Sequence, residues 1–440
     1  MSGLRRALGP FDLTMIAIGS TIGSGIFLTP SSIAQALPSP WFILAAWVLG
    51  GCMALAGALT FAELGGMMPQ AGGMYVYLAE AYGGLAGFLF GWAYALVVNT
   101  GGVAALCVAF ATYAGAIVPL DPAGRVLLAI GGVAVVTVIN VLGVKQGGIF
   151  ADIFTGLKLL GIGLVIVAGI VGGGQIVGTA ESGVGPAGGW GGAFAVAMVG
   201  VLWSYGGWQH TSFTAGEAVD PARTVPRAMV VGAAVVVAVY LLTNVAYLRL
   251  LPVQAIAEAD RLAVEAVEPV FGATGGLLIA LAICISVYGT AGIYTLTAPR
   301  IYFAMAADGV FFRSVAAVHP RFRTPSRAIV LQSLWAAVLI LFWGTFEDLI
   351  SYVVFTDWIF FAMTAAAVMV LRRRRPDAPR PYRVWGYPFT PLFFIAVAVW
   401  FVVNTLVQKP EQALAGLLFL ALGVPAHLFW KRRARGKVLS

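Results

Sequence analysis

Charge is what this sequence has least of. Only 10% of its 440 residues are Asp, Glu, Lys or Arg, against roughly 25% in soluble domains. No stretch is polar enough to form the surface of a soluble domain, so cytosolic enzymes, extracellular enzymes and nucleic-acid binders are excluded despite the net charge of +8. Cysteine and histidine are scarce too, with three residues each. Cys52, Cys107 and Cys284 all lie in apolar runs, without metal spacing, and read as small core residues. A metal centre or a disulfide framework therefore has no material, and no cofactor is expected. No cleavable signal is apparent: Arg5 and Arg6 lead directly into a long apolar span.

What is present is apolar. Hydrophobic residues make up 60% of the chain, and glycine contributes 55 residues. Membrane helices tolerate glycine because close backbone approach drives their packing. At ~20 residues per crossing the chain reads as an all-α polytopic membrane protein with twelve spans. They fall at about 10–37, 40–66, 83–113, 123–143, 148–172, 191–214, 228–251, 271–305, 327–346, 350–371, 388–407 and 412–431. With the N-terminus inside, 21 of the 26 Lys and Arg residues lie on the cytoplasmic side, which orients both termini to the cytoplasm of a plasma membrane, the inner one in a bacterium. The basic residues are thus a topology signal and need no nucleic acid. The longest loops are about 20 residues, too short for nucleotide-binding machinery, so secondary transport, a channel or an intramembrane enzyme remains.

Two spans are interrupted. Span one carries Gly19-Ser20-Thr21-Ile22-Gly23-Ser24-Gly25-Ile26-Phe27 near mid-depth, and span six carries Trp203-Ser204-Tyr205-Gly206-Gly207-Trp208. Either glycine cluster alone is compatible with close helix packing. Both together, five spans apart, point to an inverted repeat of five plus five helices with the binding site at the breaks. Backbone groups freed from a helix in hydrocarbon must face protein, water or ligand. The segment before Ile22 ends in free carbonyls and the one beginning near Ser24 offers free N–H groups. An α-amino acid, with ammonium and carboxylate on one carbon, suits these two poles. Neither broken segment contains Asp or Glu, which disfavours amines and polyamines.

These residues resemble the amino acid–polyamine–organocation (APC) transporter superfamily. The resemblance rests on Gly23-Ser24-Gly25-Ile26-Phe27, Ala62-Glu63-Leu64-Gly65, Pro69 to Tyr77, Ser204 to Trp208, Gly216 to Pro221 with Pro226-Arg227-Ala228, and Pro299-Arg300-Ile301-Tyr302. It continues through His319-Pro320, Thr324-Pro325, Arg380-Pro381-Tyr382-Arg383 and Gly386-Tyr387-Pro388. The Tyr-Gly-Gly-Trp variant is most similar to the L-type amino acid transporter branch and its bacterial relatives. The resemblance implies a leucine-transporter-type fold, with a first repeat over 10–172, a second over 191–371 and two extra helices over 388–431. A cytoplasmic segment 1–9 precedes them and a basic cytoplasmic tail 432–440 follows. It implies that Ser24, Gly25 and Ile26 present N–H groups to the substrate carboxylate, and that Thr21, Ile22, Trp203 and Ser204 offer carbonyls to its ammonium. Trp203 stands at the place of an aromatic gate, usually phenylalanine, and Tyr205, Gly206 and Trp208 complete the lining.

Lys158 lies about ten residues into span five, roughly half of a ~30 Å core, too deep to snorkel comfortably. Intramembrane charges are functional hypotheses by default. In APC relatives a lysine here looks like a tethered substitute for a sodium ion, bridging carbonyls near Gly19 or Ile22 and a hydroxyl on the eighth helix, for which Ser286 is the candidate. Asp357, about seven residues from the outer edge of span ten, fits the outer vestibule or a hydrated polar pair. Glu63, Glu217 and Asp220 sit near inner edges beside Arg223 and Arg227, as gate or helix-end contacts. His210 reads as a packed residue, and Trp400 and Trp430 as lipid-facing or interface anchors.

The leading expectation is a sodium-independent secondary transporter of neutral L-amino acids working by alternating access, as an exchanger or with protons. A cationic amino acid or polyamine carrier of the same superfamily is the alternative, and a channel the other class. An intramembrane enzyme would need a catalytic constellation at depth, which is not in sight. The loop from Pro119 to Gly124 lacks cysteine, so no disulfide-linked partner is expected there; the expected partners are the amino acid and membrane lipid.

Overall fold

A computed structural model describes residues 3–176, 189–342, 346–408 and 410–435. Among these the chain is helical, with one isolated bridge between Leu8 and Ala218 and no strand. The helices are α1 (Pro10–Thr21), α2 (Gly25–Ala36), α3 (Pro40–Met67), α4 (Met74–Tyr82), α5 (Gly84–Ala93), α6 (Asn99–Ile117), α7 (Pro122–Leu142), α8 (Val144–Val171) and α9 (Gly189–Ser204). They continue as α10 (His210–Phe213), α11 (Pro221–Leu250), α12 (Val253–Glu258), α13 (Leu262–Thr297), α14 (Pro299–Ala307), α15 (Ser326–Phe342), α16 (Phe346–Arg374), α17 (Phe389–Gln408) and α18 (Pro410–Arg435). Among the described residues, ten helical segments are long and apolar enough to cross a membrane, and Gly189–Ser204 and Ser326–Phe342 are shorter apolar helices. The protein is a multi-pass helical membrane protein.

Helix starts follow local chemistry. Proline stands in the first turn of α1, α3, α7, α11 and α14, where its missing N–H costs nothing. The Asp12 carboxylate accepts from the Gly9 amide at 2.6 Å, and Asp121 accepts from Gly124 N at 2.9 Å, each satisfying an orphan amide.

Three spans differ from a plain helix. The first is interrupted at Ile22–Ser24 between α1 and α2, and the sixth at Tyr205–Gln209 between α9 and α10. The third, over 83–113, contains a π-helical turn, Tyr94–Val98, between α5 and α6. The expected span 271–305 begins earlier: α13 starts at Leu262 and bends at Gly272.

Helices α11 and α3 pack along one another, as do α13 and α8, and α13 and α6. Around the breaks, α1 lies against α8, α11 and α10, while α2 lies against α9 and the short α12. The side chain of Cys52 is exposed on the outer surface of α3, so it is not the core residue expected; Cys107 and Cys284 are buried.

Candidate functional site

The two breaks touch. Ser20 Oγ donates to the Gly207 carbonyl at 2.9 Å, and a Cβ at Gly207, whose φ is +134°, would collide with the backbone of Ser20 and Thr21. On the other side of the break, a Cβ at Gly25 would stand 2.6 Å from Ser204 Oγ and 2.8 Å from Ser204 Cα. Glycine at both places lets the two interrupted segments approach within backbone distance of one another. Ser204 Oγ also bonds Thr29 Oγ1 at 2.8 Å, and Tyr240 Oη donates to Thr21 O at 3.0 Å. Thr21, Ile22, Ser24, Gly25, Ile26 and Ser204 are all buried in this seam.

The carbonyl end of α1 is held by a buried cation. Lys158 Nζ donates to Gly19 O at 2.9 Å, Ile22 O at 2.7 Å and Thr290 Oγ1 at 2.9 Å. These three acceptors match the three donors of an ammonium and answer the orphan carbonyls of a helix C-terminus. The hydroxyl is Thr290, not Ser286. Ser286 lies one turn earlier on α13 and turns its Oγ to Gly23 O at 3.2 Å and Ile22 O at 3.4 Å, so it braces the break without meeting the lysine.

A cavity of about 40 Å³, space for a few water molecules, lies beside the second break. Its wall includes Trp203, Gly206, Gly207, Gln209 and His210 from that break. Tyr94, Asn99, Tyr294, Asp357 and Trp358 come from the surrounding helices. Of the expected substrate residues, Trp203 and Gly206 line this cavity; those of the first break do not. Tyr205 turns away, donating to Trp47 O at 3.1 Å and packing edge-on against the Trp47 ring. Trp208 likewise packs on Phe61. Both are directed toward α3 because consecutive residues of an unwound turn point in different directions, which spacing alone does not resolve.

Of the two settings expected for Asp357, the contacts correspond to the polar pair at a cavity. Its Oδ1 accepts from Tyr94 Oη at 2.7 Å, across the cavity from α16 to the π-turn. Asn99 follows that turn; its Nδ2 donates to Tyr294 O at 3.3 Å, and its Oδ1 is buried without a partner. An unsatisfied buried acceptor facing a cavity costs about 1–3 kcal/mol unless a ligand or water supplies a donor. His210 Nδ1 meets Thr297 Oγ1 at 2.7 Å, and its ring stacks on Tyr294 with centroids 4.2 Å apart, so it is packed as expected. Tyr94, Asn99, Gln209 and Tyr294 had not been singled out. The polar pair Asn99-Thr100 inside an apolar run was the available signal; the π-turn that aims Tyr94 left none.

The acidic residues at the basic end pair differently from the expectation. Glu217 binds Arg300, at 2.6 and 3.0 Å, with both side chains fully buried. Glu63 binds Arg372 at 2.6 and 2.8 Å, approaches Arg380 Nε at 3.3 Å and accepts from Val384 N at 2.8 Å. Arg223 and Arg227 take part in neither pair. Asp220 instead occupies the N-cap of α11 in a left-handed conformation. Tyr75 Oη donates to Asp308 at 2.7 Å; burial and that carboxylate push its phenol above the ordinary value, so it remains a donor.

Fold and site together define a class: a polytopic helical transporter built around two crossed helix breaks and a polar cavity. The amino acid permease family profile matches residues 8–424, and the chain belongs to that family, within the APC superfamily of transporters. It is 32% identical to the serine/threonine exchanger SteT of Bacillus subtilis, with 98% of each chain covered. It is 30% identical to the human large neutral amino acids transporter small subunit 2, over 98% of this chain and 82% of that one. The mouse Asc-type amino acid transporter 1 is also 30% identical, over 98% and 83%. The protein transports amino acids and is not an enzyme.

Proposed function

We propose that the protein is a sodium-independent carrier of neutral L-amino acids that works by alternating access in the plasma membrane, with both termini cytoplasmic. The observation that carries the reading is the Lys158 ammonium seated on the Gly19 and Ile22 carbonyls and the Thr290 hydroxyl. A cation is already tethered where a coupling ion would neutralise the end of α1. The similarity to proteins named as a serine/threonine exchanger and a large neutral amino acid transporter supports exchange of neutral substrates.

The contacts support twelve spans, of which the first ten form two inverted repeats of five. After α3 the chain turns into the short α4, whose entry residue Gly72 donates to Phe213 O at 3.0 Å, beside the second break. After α11 it turns into the short α12, which packs on α2 beyond the first break. In each half, the segment that follows the long second helix thus meets the broken span of the other. The amides of Ser24, Gly25 and Ile26 form the carboxylate pole in this reading. The carbonyls of Thr21, Ile22, Trp203 and Ser204 form the ammonium pole, with the cavity beside Trp203 and Gly206 taking the side chain. A cavity of about 40 Å³ is too small for an amino acid, so Trp203, which is half-buried, must swing to admit one, as a gate does.

Asp357 favours a second reading of the substrate class. A carboxylate and the free Asn99 oxygen facing the cavity suit a side chain that brings hydrogen-bond donors, hydroxyl or cationic. Uptake into proteoliposomes decides the matter, using a panel of twenty amino acids with and without sodium, a pH gradient and internal amino acid. Sodium-independent uptake of small neutral amino acids, stimulated by internal substrate, is the expected outcome. Sodium-driven uptake would overturn the sodium independence, and unitary currents would replace the carrier reading.

A further inference from the structure

Away from the breaks, two neighbouring hollows lie at the basic end of the bundle. The first is a cleft of about 210 Å³ between the linker that follows α14 and the end of α18, with Phe312, Arg313, Trp430 and Arg433 in its wall. The second is a groove of about 460 Å³ along α15, lined by Val330, Leu331 and Leu334 with Arg327 at its end. Phe312 and Ser314 belong to both. A polar, cationic cleft therefore runs into an apolar channel on the outer surface of the protein.

The chemistry of the two parts is matched to one kind of molecule. Arg313, Arg327 and Arg433 are exposed and, among the described residues, none forms an ion pair. Asp308, the nearby acid in sequence, is held by Tyr75. The Phe312 ring meets Trp430 edge-on at 4.8 Å, and Arg433 lies over the Trp430 ring at 5.9 Å. Interfacial aromatics with unpaired arginines on the cytoplasmic side are the setting in which anionic headgroups bind. Leu331 is 38% exposed and Leu334 63%, one and two turns along α15 from Arg327, an apolar surface of the kind an acyl chain covers. A soluble anion would use the arginines and leave the groove empty.

We propose that this composite site holds one anionic phospholipid, its phosphate between Arg313 and Arg433 and one acyl chain along Val330, Leu331 and Leu334. The site is independent of the substrate reading, because it shares no residue with the cavity or the breaks. The test uses the purified full chain and native mass spectrometry, titrating phosphatidylglycerol against phosphatidylcholine. The wild type should retain one phosphatidylglycerol in preference to phosphatidylcholine. Arg313→Gln with Arg433→Gln should weaken that retention by about fivefold per charge removed. Leu334→Trp, which fills the groove and leaves the arginines intact, should weaken it as well. Both variants sit at exposed positions, and their thermal unfolding controls for folding. Equal retention of the two lipids, or retention unchanged in both variants, overturns the proposal. Displacement of phosphatidylglycerol by inorganic phosphate alone, with Leu334→Trp silent, also overturns it, because the cleft would then read a free anion.

Discussion

Lys158 and Thr290 converge on the same two carbonyls. The ammonium reaches Gly19 O and Ile22 O at 2.9 and 2.7 Å, and the threonine hydroxyl lies 3.0 Å from each. The end of α1 is therefore held by a cation on one neighbouring helix and a hydroxyl on another.

Lys158→Ala removes three hydrogen bonds while keeping a residue that suits a buried helix. The freed carbonyls should cost about 1–3 kcal/mol each if no water replaces the ammonium. Uptake should fall by roughly tenfold or more, equivalent to 1.4 kcal/mol or above, and sodium should not stimulate the wild type. Parallel uptake in sodium-free and sodium-containing buffer, with unfolding curves for both proteins, checks this. A fully active alanine variant would remove Lys158 from the mechanism.

Gly25→Leu places a side chain against the Ser204 backbone, 2.8 Å from the position of its Cβ. Overpacking of this kind costs about 1–3 kcal/mol, so a folded protein that no longer binds amino acids is expected. Binding should also need the substrate carboxylate. An amine that binds as well as its parent amino acid, measured by competition against labelled substrate, contradicts the two-pole site.

Trp203 borders the cavity, and its bulk limits what fits. Trp203→Phe should broaden the range of neutral side chains accepted, while Trp203→Ala should weaken transport altogether. The measure is the ratio of kcat/KM for leucine to that for alanine, which should rise in the phenylalanine variant. Arginine or tryptophan as the best substrate of the wild type would refute the size argument.

Asp357→Asn keeps the shape of the Tyr94 contact and removes the charge. If side-chain donors are read at this carboxylate, the preference for threonine over its isostere valine should drop by about 1.5–3 kcal/mol, the worth of a hydrogen bond to a charged group. Kinetics with that pair of substrates gives the answer. An unchanged ratio assigns Asp357 to positioning the π-turn alone.

Glu217 and Arg300 form a fully buried pair. Breaking such a pair from one side costs about 3–5 kcal/mol because the remaining charge is stranded. Glu217→Gln should therefore lower the unfolding temperature more than the double change Glu217→Leu with Arg300→Met. A double-mutant cycle on unfolding supplies the comparison.

Much of this architecture could be read before the coordinates, because bilayer physics simplifies the code. Spans follow from hydropathy, and glycine clusters in two of them mark the breaks. The depth of Lys158 follows from counting residues, and its seat at the end of α1 is what the resemblance to APC transporters implies. What could not be read was rotational. Ser286 and Thr290 lie one turn apart on the same face of α13, so only the lysine's reach distinguishes them. Asp357 was placed by depth, yet its direction depends on α16 facing Tyr94, and the π-turn that turns Tyr94 inward has no signature in the residues. The same holds for Tyr205 and Trp208, whose unwound backbone follows neither helical nor strand periodicity. The acid–arginine pairs failed for a related reason: Glu217 and Arg300 are distant in sequence, and Arg223 was merely the nearer candidate.

The seam of Gly207 on Ser20 and Gly25 on Ser204 has a mechanical meaning. Two surfaces that interlock through side chains must change rotamers before they shift, so they behave as a latch. Two bare backbones have nothing to disengage except a few hydrogen bonds, such as Ser20 to Gly207. The crossing of the broken helices is in that sense built more like a bearing than a latch. The buried Glu217–Arg300 pair is a fastening that any shift there must either carry along intact or open at a cost.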